Sequence, residues 1–201
     1  ELRKRIRENK LGQIYYFEAT YDYGRLHKIT HGWRGEIPFY SVMHGGGIHL
    51  IDLLLWIIGN EISSVKAIGT KIATEKSQFK YPDCVSALVE FKNGIIGKIT
   101  SNYSSVTPHG HRLDIYGTNG TFHHGLLGAA YFFSRDPSNK PELLNDEYPG
   151  IKKSDMIESF VDSVLGKQNT SVSIKEVLNA MNVSLSIEES LHTGKTIKID
   201  I

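Results

Sequence analysis

The stretch that most constrains this chain runs from Ser41 to Asn60. Three consecutive glycines open onto an apolar run, Ile48 to Ile58, which only His49 and Asp52 interrupt and Gly59 closes. Gly just past the last apolar position is a helix stop, because it enters the left-handed region without penalty. The run therefore reads as about three turns of helix. On that helix Ile48, Ile51, Leu55 and Ile58 form one stripe, and Leu50, Leu53, Leu54 and Ile57 another. A helix apolar nearly all round is a buried one. His49, Asp52 and Trp56, at i, i+3 and i+7, share the face that remains. Because a carboxylate is rarely buried without a partner, that face is expected to border a cavity or a polar group.

Ahead of this helix, Leu2 and Ile6 put an apolar edge on a short charged helix ending near Leu11-Gly12. Gln13 to Tyr23 alternates as one long strand, with Tyr15, Phe17, Ala19, Tyr21 and Tyr23 on one face. Tyr16, Glu18, Thr20 and Asp22 lie on the other. Gly24 to Phe39 has no clear period and reads as a loop carrying Trp33 and Arg34. Ile62 to Ala73 reads as a strand, and Glu75 to Asp83 as a polar connection. Val85, Ala87, Val89 and Phe91 then alternate up to Lys92-Asn93-Gly94, and Ile95 to Tyr103 returns. Asn-Gly between such runs predicts a two-residue hairpin turn, since both residues tolerate positive φ.

Arg112 to Tyr116 is a further strand, continued by Thr121-Phe122 beyond Gly117–Gly120, and Ala130 to Ser134 is another. Asp136 to Gly150, with three prolines, reads as a loop. Two helices follow. Asp155 with Glu158 fits an N-terminal cap, and Ile157, Phe160, Val161, Val164 and Leu165 form one stripe stopped by Gly166. Ser173 and Glu176 make a capping box, after which Ile174, Val177, Leu178, Met181 and Leu185 are expected to continue the buried face to His192. Thr196 to Asp200 adds an edge strand. Hairpin-joined strands with helices before and after predict an α+β domain, its sheet largely antiparallel and open on one face, with helices packed on the other. The aromatic face of the first strand, were it exposed, would be a docking surface.

A length of 201 residues suits one domain spanning 1–201. A net charge of +1 leaves no basic footprint for nucleic acid. A single cysteine, Cys84, excludes an internal disulfide framework and a cysteine-based zinc site. Without a secretory pattern or an apolar run near membrane-spanning length, a cytoplasmic protein with no membrane partner is expected. Glu1 to Arg7 already reads as helix, so the chain begins mid-stream, like a piece of something longer.

The order of these features carries a resemblance. A strand is followed by Trp33-Arg34, the glycine-rich segment, His49-x-x-Asp52, Trp56-x-x-Gly59, the Asn93-Gly94 hairpin, Ile115-Tyr116-Gly117-Thr118-x-Gly120, and a closing helix with Thr193-Gly194-Lys195. Over essentially its whole length the chain resembles the C-terminal domain of the glucose–fructose oxidoreductase / inositol dehydrogenase / MocA family. The resemblance implies an N-terminal Rossmann domain binding NAD or NADP and carrying a Glu-Lys-Pro segment; neither is in this sequence. No G-x-G-x-x-G follows a strand here, and Gly45 to Gly47 follow a loop. The chain then reads as the substrate-binding half of an NAD(P)-dependent oxidoreductase acting on a sugar, polyol or sugar-derivative hydroxyl. It also implies a homo-oligomer built through the open sheet face.

Carried over position by position, the family's Asp-x-Gly-x-His-x-x-Asp motif matches at Gly47, His49 and Asp52, while Gly45 stands where the first aspartate usually is. The resemblance implies that His49 exchanges the proton of the substrate hydroxyl and that Asp52 holds a neighbouring hydroxyl. A group titrating near neutrality suits that proton. His44, beside the vacancy, is the nearest polar stand-in. Trp33, Arg34 and His111 are further substrate-binding candidates, and Gly45 and Gly46 are candidates for close backbone approach of the nicotinamide. Taken without the family, His49 is equally a core histidine bonded to backbone, and the glycines equally serve helix packing. Gly45 keeps a second reading open, a non-catalytic relative that binds sugar or only dimerises. A metallohydrolase is disfavoured, because no H-E-x-x-H occurs among the nine histidines, and no metal is expected.

Overall fold

A computed structural model describes residues 1–59, 62–144, 155–169 and 172–199. The chain runs α1 (Leu2–Arg7), β1 (Ile14–Asp22), α2 (His27–Thr30), α3 (Ile48–Ile58), β2 (Ile62–Thr70), β3 (Cys84–Phe91), β4 (Ile96–Asn102), β5 (Gly110–Gly117), β6 (Thr121–Gly125), β7 (Gly128–Phe132), β8 (Glu142–Leu144), α4 (Asp155–Val164), α5 (Ile174–Thr193) and β9 (Ile197–Lys198). The strands form one sheet in the order β8-β7-β6-β5-β1-β4-β3-β2-β9. Every pairing is antiparallel except β1 with β4, which is parallel in the register Phe17↔Gly97 and Glu18↔Lys98. Helices α3 and α5 pack against each other, α3 also touching β1 and α5 lying on β2. The expected α+β architecture with an open sheet face is what the chain adopts. Among the described residues no helix is long and apolar enough to cross a membrane.

The core lies between sheet and helices. Phe17, Ala19 and Tyr21 of β1 meet Leu50, Ile51 and Leu54 of α3 and Val183 and Ile187 of α5 in one buried cluster. The aromatic face of β1 is therefore the inner one rather than a docking surface. A bulge between Ile14 and Tyr16 leaves Tyr15 outside, 51% exposed. The open face carries the other residues of β1: Tyr16 packs on Tyr116 at 5.6 Å and Glu18 pairs with Lys98 at 2.6 Å. Ile68, Leu88 and Ile96 stand exposed on the neighbouring strands.

Several local expectations are corrected. β2 stops at Thr70, and residues 72–74 form a 3-10 turn instead of extending it to Ala73. Buried Asp83 is the reason: its Oδ2 accepts from Thr74 N and Thr74 Oγ1, both at 2.8 Å, and its own N–H donates to Thr70 O at 2.9 Å. The β3–β4 turn has three residues, not two. Gly94 N–H donates to Phe91 O, Phe91 N–H to Ile95 O, and Gly94 alone takes positive φ, at 84°. That is the three-residue loop with glycine in the left-handed position. Thr121-Phe122 does not extend β5 but turns back as β6, antiparallel to it. Within the expected loop 136–150, residues 142–144 pair with β7 as β8, where Arg5 bridges Glu1 and Glu142; residues 145–150 lie outside the described residues.

The largest correction concerns the last two helices. Ile157, Phe160, Val161, Val164 and Leu165 are all exposed, as are Ile174, Val177, Leu178, Met181 and Leu185. α5 instead buries Ala180, Val183, Ser184, Ile187 and Ser190. Small residues let the helix lie close on the sheet, and Ser190 Oγ satisfies the backbone N–H of Ala67 at 2.9 Å while donating to Lys195 O at 2.6 Å. The capping box of α5 forms as expected, with Ser173 accepting from Glu176 N–H and the Glu176 side chain accepting from Ser173 N–H. The Asp155 side chain and Asp200 lie outside what is described.

Candidate functional site

The three glycines are already helical. Residues 43–47 form one π-helical turn that runs straight into α3, which ends at Gly59 with φ 71°. This turn is held from three sides. Ser41 Oγ accepts from the N–H groups of Met43 (3.1 Å) and His44 (3.0 Å) and donates to Glu188 of α5. Ser101 Oγ of β4 donates to Val42 O at 2.8 Å. His44 Nδ1 sits 2.6 Å from Ser184 Oγ on α5. The glycines allow this close seating. A Cβ on Gly45 would press on the hydroxyls of Tyr40 and Tyr103, the latter at 2.8 Å, and one on Gly46 would lie 2.7 Å from the Tyr21 ring.

Seated in this way, the turn and helix present Gly45, His49, Asp52 and Trp56 as one exposed stripe. Beside the stripe is a cavity of about 370 Å³ lined by Tyr21, His49, Leu50, Asp52, Leu53, Trp56, His109 and His111. Tyr21 is its hub: its ring centre lies 6.0 Å from His49, 5.3 Å from His109 and 4.9 Å from His111. β1 supplies the tyrosine, α3 a histidine and the carboxylate, β5 His111, and the residue just before β5 is His109. Arg3 of α1 covers Trp56, its guanidinium 4.2 Å from the ring centre.

The cavity wall shifts the groups that face it. Burial pushes the Asp52 carboxyl up, and Glu176 adds to this while His49 opposes it. Burial holds the His111 imidazole below its ordinary value, helped by His109, His49 and His124. Burial also raises the Tyr21 phenol. An acid that keeps its proton more readily and an imidazole kept neutral suit hydrogen bonding to hydroxyls. Among the described residues no group of three or more His, Cys, Asp or Glu could hold a metal ion.

Of the residues singled out in the sequence, the fold brings His49, Asp52 and His111 to this cavity. It does not bring Trp33, Arg34, His44, Gly45 or Gly46 into the lining. Trp33 and Arg34 lie on a 3-10 turn, the guanidinium 4.6 Å over the neighbouring indole. His44 is turned to α5 and cannot stand in for a carboxylate on the open side. Gly46 is buried under Tyr21, whereas Gly45 stays exposed. The sequence reading missed Tyr21 as a wall residue. The alternation of β1, with Tyr21 on the face of Phe17, was the available signal.

The fold is thus an open-faced, largely antiparallel sheet backed by helices, one of which carries a histidine and a carboxylate on the same face. Residues 1–123 match the GFO/IDH/MocA C-terminal domain, and the chain belongs to that family. No protein of curated function matches the sequence. Among solved structures, an NAD binding oxidoreductase from Klebsiella pneumoniae is 16% identical with a TM-score of 0.79, covering 100% of this chain and 62% of its own. Levoglucosan dehydrogenase, in complex with NADH and levoglucosan, is 19% identical with a TM-score of 0.76, covering 98% and 62%. The WlbA dehydrogenase of Bordetella pertussis, in complex with NADH and UDP-GlcNAcA, is 18% identical with a TM-score of 0.74, covering 100% and 60%. At these identities the likeness establishes the fold. The chain spans about three fifths of the length of those proteins.

Proposed function

We propose that residues 1–201 are one substrate-binding and oligomerisation domain of a cytoplasmic NAD(P)-dependent dehydrogenase that oxidises a hydroxyl of a sugar, polyol or sugar derivative. The observation that carries this reading is the convergence of His49, Asp52 and His111 on one cavity beside an exposed helical stripe. The described residues contain no phosphate cradle of their own, so the fit to the cofactor is confined to its reacting end. There Gly45, exposed and one helical turn before His49, offers bare backbone to a flat ring. When bound, the nicotinamide supplies the hydride acceptor.

The chain's residues do the rest. His49 takes the proton of the reacting hydroxyl on a ring nitrogen as the alcohol becomes a carbonyl. Asp52 accepts a hydrogen bond from a neighbouring hydroxyl and fixes which carbon faces the cofactor. Trp56, Tyr21 and Leu53 give the apolar faces of a sugar ring somewhere to pack and exclude water. The exposed apolar stripes of α4 and α5 fit a cofactor domain covering this side of the molecule. Ile68, Leu88 and Ile96 on the open sheet fit a second copy of the chain.

His49→Ala in the full-length protein is the test. Removing a general base is expected to lower kcat by about 10²–10⁴-fold, with the fold and NADH binding retained. Unchanged turnover would remove His49 from the mechanism. A specific observation supports a second reading: tyrosine hydroxyls fill the side-chain space at Gly45, so this position has no room for the carboxylate the motif usually carries there. On that reading the protein is a non-catalytic sugar-binding or dimerisation relative, and full-length protein reduces NAD(P)+ with no sugar or polyol.

A further inference from the structure

The cavity divides into two electrostatic neighbourhoods. On one side stand His109 and His111, ring centres 5.6 Å apart, both packed on Tyr21. The charges that act on His111 are those of His109, His49 and His124, all of one sign. On the other side Asp52 responds to Glu176 and His49. His49 is common to both. Asp52 is the one carboxylate among the described residues lining the cavity, and it does not figure among the groups that act on His111. In addition, Nε2 of His111 is buried with no hydrogen-bond partner among the described residues. Buried polar atoms ordinarily have one, so this nitrogen is an unmet hydrogen bond just beneath the cavity surface.

We propose that His109 and His111 form an anion-recognising end of the cavity, so that the sugar derivative it takes carries a carboxylate or a phosphate. This rests on the proposed function and adds the substrate class to it. Neutral imidazole has one N–H to donate, and imidazolium has two. With the cavity empty, three neighbouring histidines and burial all oppose a positive charge on His111. An anion in the cavity, seated against His109 and His111, reverses that balance and gains charge-assisted hydrogen bonds, roughly twice as strong as neutral ones. It also leaves Asp52 free to take hydroxyls. Tyr21 from β1 and His109 pack against His111, and His49 from α3 and His124 from β6 act on it electrostatically; none of them is a carboxylate.

The test is a calorimetric titration of the full-length protein saturated with NADH. The probes are D-glucuronate, D-glucose 6-phosphate and D-glucose, at about pH 6 and about pH 8. One of the two anions is expected to bind about tenfold or more tightly than D-glucose at the lower pH. That advantage should shrink at the higher pH, as the histidines lose their protons. It should disappear in His109→Gln and in His111→Gln, two separate variants whose folding circular dichroism checks. Which anion gains the advantage tells carboxylate from phosphate. Equal affinity for all three probes, or an anion advantage that survives both variants, overturns the proposal. If D-glucose binding still weakens in His49→Ala, the sugar-oxidoreductase reading stands without it. If none of the probes binds, both fall.

Discussion

His49, Asp52 and Trp56 stand on one exposed stripe of α3 because helical spacing leaves them no other common face. What the spacing does not convey is their surroundings. Asp52 is open to solvent on one side, yet its carboxyl is pushed above the ordinary 3.8 of an aspartate, by burial first and Glu176 second. The folded state then binds this proton more tightly than the unfolded chain does. The carboxyl's contribution to stability is fully present below the unfolded value and lost as pH rises through the raised folded one. At neutral pH the ionised carboxylate works against folding. Asp52→Asn is accordingly expected to raise the melting temperature near pH 7, with the gap to the wild type closing as pH falls toward about 4. A gap that stays constant across that range would show that Asp52 has an ordinary environment. Sites of this kind are commonly kept at some expense of stability.

At the scale of elements, the π-helical turn at residues 43–47 decides where α3 points. Ser41, Ser101, Ser184 and Glu188 hold it from the flanking chain, β4 and α5. Its glycines lie against Tyr40, Tyr103 and Tyr21. Gly46→Ala would set a methyl 2.7 Å from the Tyr21 ring and 3.0 Å from Tyr103, both inside the core. Overpacking of this sort destabilises by about 1–3 kcal/mol, measurable by chemical denaturation. Because Tyr21 is the hub of the cavity, the same variant is expected to disturb sugar binding, while an undisturbed protein would argue that the turn is looser than drawn. A run of three glycines announces close backbone approach. It does not say to what, and here the neighbours are Tyr40 just before it, Tyr21 on β1 and Tyr103 just past β4.

At the scale of the molecule, the helical side is unfinished. Phe160 on α4 is 62% exposed and Leu178 on α5 is 60% exposed, each within an apolar stripe. Exposed apolar patches of this kind mark contact surfaces. The isolated chain is therefore expected to self-associate, and the double variant Phe160→Lys with Leu178→Lys to shift it toward monomer in light scattering. Little change in melting temperature should follow, since neither residue is buried. An isolated chain already monomeric and indifferent to the two charges would show that this face needs no cover.

By itself the sequence determined the buried helix with its polar stripe, the alternation of β1, β3 and β4, the capping box of α5 and the family to which the chain belongs. These are local periodicities, or motifs in fixed order, and local physics sets them. The tertiary structure alone decided which residues of α5 face the sheet, that β6 turns back on β5, and that His44 is engaged by Ser184. It also decided that Tyr21, His109 and His111 close a cavity over His49 and Asp52. Periodicity reports that a stripe is apolar without saying what covers it. In α4 and α5 the longest apolar stripes remained outside, because small residues, not large ones, let α5 approach the sheet.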